Sequence, residues 1–159
     1  MKIGVLSDTH LHQVTRGFKD FYNQHLSHMD ILFHAGDFVS LETVNLLTKK
    51  EFHGVQGNMD PHDVMRSLPK KKIIEIGPYR LGLIHGWGSS SGLEERIGPE
   101  FSDVDVIVYG HSHRAVSHMK GGILFFNPGT ASGHTSSGVH SYGVLELGDR
   151  IRGRIIPIK

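Results

Sequence analysis

Apolar positions in the first sixty residues switch between two periods. Residues 2–7 (KIGVLS) form a short, nearly continuous apolar run of the buried-strand type. From residue 14 to residue 27 and just beyond, Phe18, Phe21, Tyr22, Leu26 and Met29 recur at helical intervals. Residues 30–34 (DILFH) predict a second strand. Ser40, with Thr43 three positions on, caps a helix expected over 41–50, and a short third strand is expected at 53–56. The order βαβαβ predicts a partly parallel sheet covered by helices. After Pro69 the texture changes to short apolar runs (KKIIEI, YRLGLIH, DVIVYG, GILFFN, SYGVLEL and RIRGRIIPI) parted by Gly, Pro and Asp. One weak helical stretch, 92–97, interrupts them, and Gly77-Pro78 and Gly148-Asp149 read as hairpin turns. A sheet of that size must bury its inner face on a second sheet. The pattern therefore predicts one α/β domain over residues 1–159: two packed sheets flanked by helices, with no internal repeat and no linker.

Composition narrows the chemistry. The 17 basic and 16 acidic residues leave a formal charge of +1, so no electrostatic footprint for nucleic acid or an acidic membrane is expected. Cysteine is absent, which excludes disulfides, thiolate metal sites and a cysteine nucleophile. Glycine, at 20 of 159 residues, is well above the usual ~7% and implies many close backbone approaches. Histidine, at 13, supplies the commonest metal-ligand side chain. The opening MKIGVLSD is not a signal peptide, and residues 121–145, free of Asp, Glu, Lys and Arg, are too polar to span a bilayer. A cytoplasmic protein is expected, and nothing in the pattern fixes its oligomeric state.

Polar residues gather where the predicted strands end: Asp8-Thr9-His10, Gly36-Asp37, Gly57-Asn58-Met59-Asp60, His85-Gly86-Trp87 and Gly110-His111-Ser112-His113. Ligand sites in open α/β sheets form at the carboxyl ends of strands. Two carboxylates, an amide and four imidazoles suit Mn, Fe, Ni or Zn, and seven donors exceed a single tetrahedral site. They fit two ions sharing a bridging group, an arrangement common in phosphate-ester hydrolases.

Asp-x-His, Gly-Asp, Gly-Asn-x-Asp, His-Gly and Gly-His-x-His, in this order, resemble the calcineurin-like metallophosphoesterases over residues 2–147. The small size and Asn127-Pro128-Gly129 resemble the family's small prokaryotic phosphodiesterase branch, to which a scaffold subunit of the retromer coat is also similar. The resemblance implies a four-layer αββα sandwich. It implies that Asp8, His10, Asp37 and His113 hold one divalent ion, and that Asp37, as the bridge, holds a second with Asn58, His85 and His111. Manganese is placed first, with nickel, iron or zinc as alternatives. Asp60 would orient a neighbour without touching metal. The implied reaction is in-line attack of a metal-bridging hydroxide on a small phosphodiester. Two divalent ions, two carboxylates and that hydroxide leave about one net positive charge, which matches a diester anion.

Two positions depart from the wider family. Larger members carry a proton-donating His where this chain has Met59, which leaves monoesters with poor leaving groups as doubtful substrates. His-Gly-His of related sequences is here His-Gly-Trp, so Trp87 makes the cleft wall beside His85 larger and aromatic. In the neutral, Gly-rich loop 129–138, His134 is a candidate for the missing acid, and the loop's hydroxyl and backbone donors are candidates for holding phosphate oxygens. Of the remaining histidines, His34 is expected to buttress the loop before Asp37. His25 and His28 are expected at the surface, and His53 and His118 on strands or edges. His12, His62 and His140 fall in loops near the motifs. The alternatives are a phosphomonoesterase for a small metabolite or nucleotide, or a scaffold that keeps the fold without catalysis.

Overall fold

Strand β1 (Lys2–Leu6) shows how one short segment serves two layers. Ile3 and Val5 point to one side and Leu6 to the other, each without solvent exposure. Gly4 leaves room on its face for Leu26, Met29 and Leu32, all within 3.3 Å of where a Cβ would stand. The computed structural model describes all residues, Met1–Lys159. Parallel pairing joins β1 to β2 (Ile31–His34) and β2 to β3 (Glu51–Gly54). On the other side of β1 lie β9 (Ser141–Leu147) and β10 (Ile151–Pro157), both antiparallel, giving the order β10-β9-β1-β2-β3.

The second sheet has the order β4-β5-β6-β8-β7. Its strands are β4 (Lys71–Ile76), β5 (Tyr79–Ile84), β6 (Val106–Val108), β7 (Ala115–Lys120) and β8 (Ile123–Pro128). Pairs β5–β6 and β6–β8 are parallel, so this sheet is mixed like the first. Ile3, Val5 and Phe33 of one sheet pack on Leu81, Val108 and Phe126 of the other in the central core. Outside the first sheet, α1 (Arg16–Phe21) and α2 (Leu41–Leu47) bury Phe18, Phe21, Val44 and Leu47 against Leu6 and Leu32. Outside the second, α4 (Leu93–Ile97) buries Leu93 and Ile97 against Ile107 and Phe125. The order of layers is helix, sheet, sheet, helix, as the resemblance implies. No helix is long and apolar enough to cross a membrane.

Several boundaries differ from the sequence expectation. The first helix does not run regularly over 14–27: α1 ends at Phe21 and continues as a wider π-helical turn, Tyr22–Leu26. That turn leaves His25 half-buried against the rings of Phe21 and Tyr142 and not on the open surface. Strand β3 lies two residues earlier than 53–56, because its pairing with β2 stops at Gly54. Helix α2 ends at Leu47, short of residue 50. Three elements were not foreseen: α3 (His62–Ser67), the 3-10 turn Gly98–Glu100, and β7, whose mostly exposed residues carry no apolar alternation.

Candidate metal centre

All five polar clusters emerge at one end of the two sheets, in loops tied to each other by main-chain bonds. Asp8 N–H donates to the Gly36 carbonyl at 3.0 Å, and His10 N–H to the Asp37 carbonyl at 3.0 Å. Gly110 N–H donates to the His85 carbonyl at 3.1 Å. Glycine is required at two of these crossings. A Cβ on Gly57 would overlap Asp37 Oδ1, and one on Gly110 would overlap Ser7 Oγ.

Backbone strain concentrates here. Of seven non-glycine residues with positive φ, six are Asp8, His10, Asp37, Val39, His111 and His113. Left-handed backbone is disfavoured for such residues, most of all for β-branched Val39, and persists only where surrounding bonds over-determine it. Asp60 is one such restraint. Its carboxylate accepts N–H bonds from Asp37 (3.1 Å), Val39 (2.8 Å) and Gly57 (2.7 Å) and carries no contact to the histidine cluster. Asn127 is another, in a role that its place in the Asn127-Pro128-Gly129 turn does not announce: its amide N donates to Gly110 O and Ser112 Oγ, and its Oδ1 accepts from Gly129 N–H.

The donor atoms form two sets. In the first, ligand atoms of Asp8, His10, Asp37 and His113 all lie within 4.8 Å of one another. His10 Nε2 is 3.3 Å from His113 Nε2, and His113 Nε2 is 3.3 Å from Asp8 Oδ1. In the second, Asn58 Oδ1 is 3.0 Å from both His85 Nε2 and His111 Nδ1. Asp37 Oδ2 lies between the sets, 3.5 Å from His10 Nε2 and 3.4 Å from His85 Nε2. Asp37 Oδ1 accepts the Met59 N–H at 2.8 Å, which fixes the carboxylate plane.

Main-chain carbonyls set the histidine tautomers. Nδ1 of His85 faces Ala35 O at 2.7 Å, Nδ1 of His113 faces His134 O at 2.5 Å, and Nε2 of His111 faces Gly88 O at 2.7 Å. A carbonyl only accepts, so each of these nitrogens carries hydrogen and each neutral ring turns its bare nitrogen inward. There it meets carboxylate and amide oxygens, which also only accept. Asp8 Oδ1 is buried and accepts no hydrogen bond at all, while Oδ2 takes Ser7 Oγ and His111 N–H. Such a set requires a positive charge at its centre, and the residues present fit divalent cations of the oxygen- and nitrogen-binding class. A proton can partly serve: the Asp8 carboxylate pushes His113 up to about 9. Burial lowers His85, but hydrogen bonding to Asp37 and the charge of Asp8 outweigh it and raise the ring. Burial opposes ionisation of Asp37, yet His85 holds its carboxyl below the ordinary range.

His34 lies beneath this layer, fully buried and stacked on Phe38 with centroids 3.6 Å apart. It accepts Gly36 N–H at Nδ1 and faces Thr9 Oγ1 with Nε2, so it does buttress the loop before Asp37. Burial, reinforced by His85, holds its pKa well below the ordinary imidazole range. At pH above ~6.5 both folded and unfolded forms are neutral; below it only the unfolded form gains the proton, so stability falls with acidity. His34→Gln, which keeps one acceptor and one donor, is expected to lose less stability than the parent between pH 7 and pH 5, by up to about 2 kcal/mol, the full linkage of an unfolded imidazole with its ordinary pKa. Urea midpoints at the two pH values check this, and equal losses would remove His34 as the cause.

The structure brings all seven expected ligands together. His12 and His62 are exposed and outside the set. His134 contributes its carbonyl to His113, with an exposed side chain. Loop 129–138 differs from a rim of free hydroxyls: Thr130 and Ser132 donate inward to the Asp8 and Thr9 carbonyls at 2.7 and 2.6 Å. His140 fastens the same loop through Gly133 O at 2.9 Å.

Comparison with known proteins gives the family and the fold. A family model described as the calcineurin-like phosphoesterase superfamily domain matches residues 1–150. A "probable metallophosphoesterase MJ0623" of Methanocaldococcus jannaschii is 31% identical over 163 residues, covering 100% of this chain and 82% of that one. "Phosphodiesterase MJ0936" of the same organism is 29% identical over 166 residues, covering 92% and 93%. Wild-type Vps29 from Entamoeba histolytica, solved in complex with zinc, superposes with a TM-score of 0.73 at 25% identity over 99% of both chains. This chain belongs to the calcineurin-like phosphoesterase superfamily.

Proposed function

We propose that the protein is a dinuclear metal-dependent phosphodiesterase, with manganese the first candidate ion and zinc, iron or nickel the others. One observation carries the reading: two complete sets of inward-facing acceptors share the single oxygen Asp37 Oδ2. Asp8, His10, Asp37 and His113 would hold one ion, and Asp37, Asn58, His85 and His111 the other. When bound, the ions supply polarisation of phosphoryl oxygens and activation of water near neutral pH. The chain's own part is orientation: carbonyls fix three rings, Met59 N–H fixes Asp37, and Asp60 fixes the two loops that carry Asp37 and Asn58. Met59 itself is 59% exposed and has no proton to give, so the substrate is a diester whose leaving group departs without strong acid assistance. His134, exposed and adjacent to His113, is the side chain proposed to supply what assistance there is. The similarity to a protein named as a phosphodiesterase supports the diester over the monoester. The retention of every donor supports catalysis over a purely scaffolding role.

The test strips the protein with a chelator, restores one metal at a time, and compares bis(p-nitrophenyl) phosphate with p-nitrophenyl phosphate. Hydrolysis should vanish on stripping, return first with Mn2+, and favour the diester by about tenfold or more. In the same assay His134→Ala should lower turnover on poor leaving groups by about tenfold, within the general-acid range, with metal content unchanged. A metal-independent rate, or a preference for the monoester, would reject the proposal.

A further inference from the structure

A cleft of about 540 Å³ opens directly from the second donor set, and the proposed reaction does not account for it. Asn58 and His85 of that set line it; Trp87, Met65 and Ile84 are its apolar lining, and Gln56 and Lys70 stand among its polar residues. The size falls within the range of small-ligand pockets. Trp87 is 44% exposed, its indole N–H makes no hydrogen bond within the chain, and no aromatic or cationic side chain stacks on its ring. Its indole is thus available to a ligand in the cleft as a flat apolar face with one free N–H.

Its position is held from behind. The Arg96 guanidinium donates to the carbonyls of Trp87 (3.1 Å), Ser89 and Ser91 (2.9 Å), while His111 Nε2 faces the carbonyl of Gly88 (2.7 Å). The loop bearing the indole is thus tied on one side to α4 and on the other to a ligand histidine. The polar residues offer both kinds of hydrogen-bonding group. Gln56 uses its amide nitrogen on the Met65 and Leu68 carbonyls (3.0 and 2.7 Å), which leaves its oxygen free as an acceptor. Lys71 is already paired with Glu100 at 2.7 Å, whereas Lys70 has no ion-pair partner and stands as a free donor.

We infer that this cleft binds the nucleoside arm of a nucleotide phosphodiester, with the base stacked on Trp87 and its edge read by Lys70 and Gln56. A flat aromatic platform in a cleft that also offers a donor and an acceptor matches a heteroaromatic base, whose rim carries both kinds of group, better than an acyl chain, which needs no polar partner. The inference rests on the phosphodiesterase reading of the centre, but the following test does not depend on turnover.

Trp87 is the only tryptophan in the chain, so its fluorescence reports on this cleft alone. The protein, as purified and after Mn2+ addition, is titrated with adenosine 5′-monophosphate and with ribose 5-phosphate, which has the same phosphate and no base. The nucleotide should quench the emission saturably and bind about five- to a hundredfold more tightly than the sugar phosphate, the range of base–aromatic stacking. By calorimetry, Trp87→Ala should abolish that preference and Trp87→Phe should keep most of it. Equal affinities for the two compounds, or a preference that survives Trp87→Ala, would overturn the inference. Quenching by the nucleotide in a protein that hydrolyses no diester would leave the cleft standing and remove the phosphodiesterase reading instead.

Discussion

Asp37→Asn is expected to abolish phosphodiester hydrolysis and to leave the protein with at most one weakly held ion. The substitution is nearly isosteric and keeps an oxygen to accept the Met59 N–H, so the loop has no reason to collapse. What it removes is the negative charge on the one oxygen that faces both His10 Nε2 and His85 Nε2. Each donor set then loses a carboxylate at once, and the second is left with an amide and two imidazoles. Outer partners of metal ligands typically carry ~10–100-fold in affinity or activity, and a shared inner ligand should exceed that. Elemental analysis alongside the melting temperature decides the matter. Two ions retained in a folded variant would refute the bridging role. Asn58→Ala offers the graded comparison, since it touches only the second set and should deplete one ion while leaving the other.

Much of this centre was legible in the sequence because strand ends are marked by chemistry as well as by pattern. An apolar run that ends in Asp or His is readable at Leu6-Ser7-Asp8 and, beside a glycine, at Ile84-His85-Gly86, where burial on both faces makes the run continuous. The same rule fails for β7, an edge strand whose residues are mostly exposed, so no apolar period betrays it. It fails also at α3, where six residues bury only Val64 and give no helical stripe to read. The roles of Thr130 and Asn127 escaped for another reason. Thr130 Oγ1 bonds the Asp8 carbonyl 122 positions away, and Asn127 anchors a turn 17 positions upstream. A hydroxyl or amide that satisfies a distant main-chain group looks, in sequence, like any loop residue. The carbonyls that fix the histidine tautomers are beyond sequence altogether, since every residue has one.

Asp60→Ala is expected to be the most destabilising single change at the site, although Asp60 touches no donor atom of the histidine cluster. Three main-chain N–H groups, of Asp37, Val39 and Gly57, lose their acceptor together. Each buried donor left unsatisfied costs roughly 1–3 kcal/mol, and the costs overlap because the three share one carboxylate. A combined loss of about 3–5 kcal/mol is a large share of the ~5–15 kcal/mol that holds a typical domain folded. Two of the freed residues, Asp37 and Val39, have φ of 59° and 73°, and nothing then opposes their return to ordinary backbone. Relaxation of that turn would swing the Asp37 carboxylate out of line with both donor sets. Asp60→Asn separates the two effects: one amide oxygen can still bridge Asp37 and Gly57 N–H, so only the Val39 bond is forfeited, for about 1–2 kcal/mol. Urea midpoints measure the stability, and ion content of the folded fraction measures the alignment. If Asp60→Asn lost ions in proportion to its smaller shift, Asp60 would be a positioning residue for the centre. Full ion content in both folded variants would confine Asp60 to holding the chain together and leave the alignment of Asp37 to Met59 and the paired loops alone.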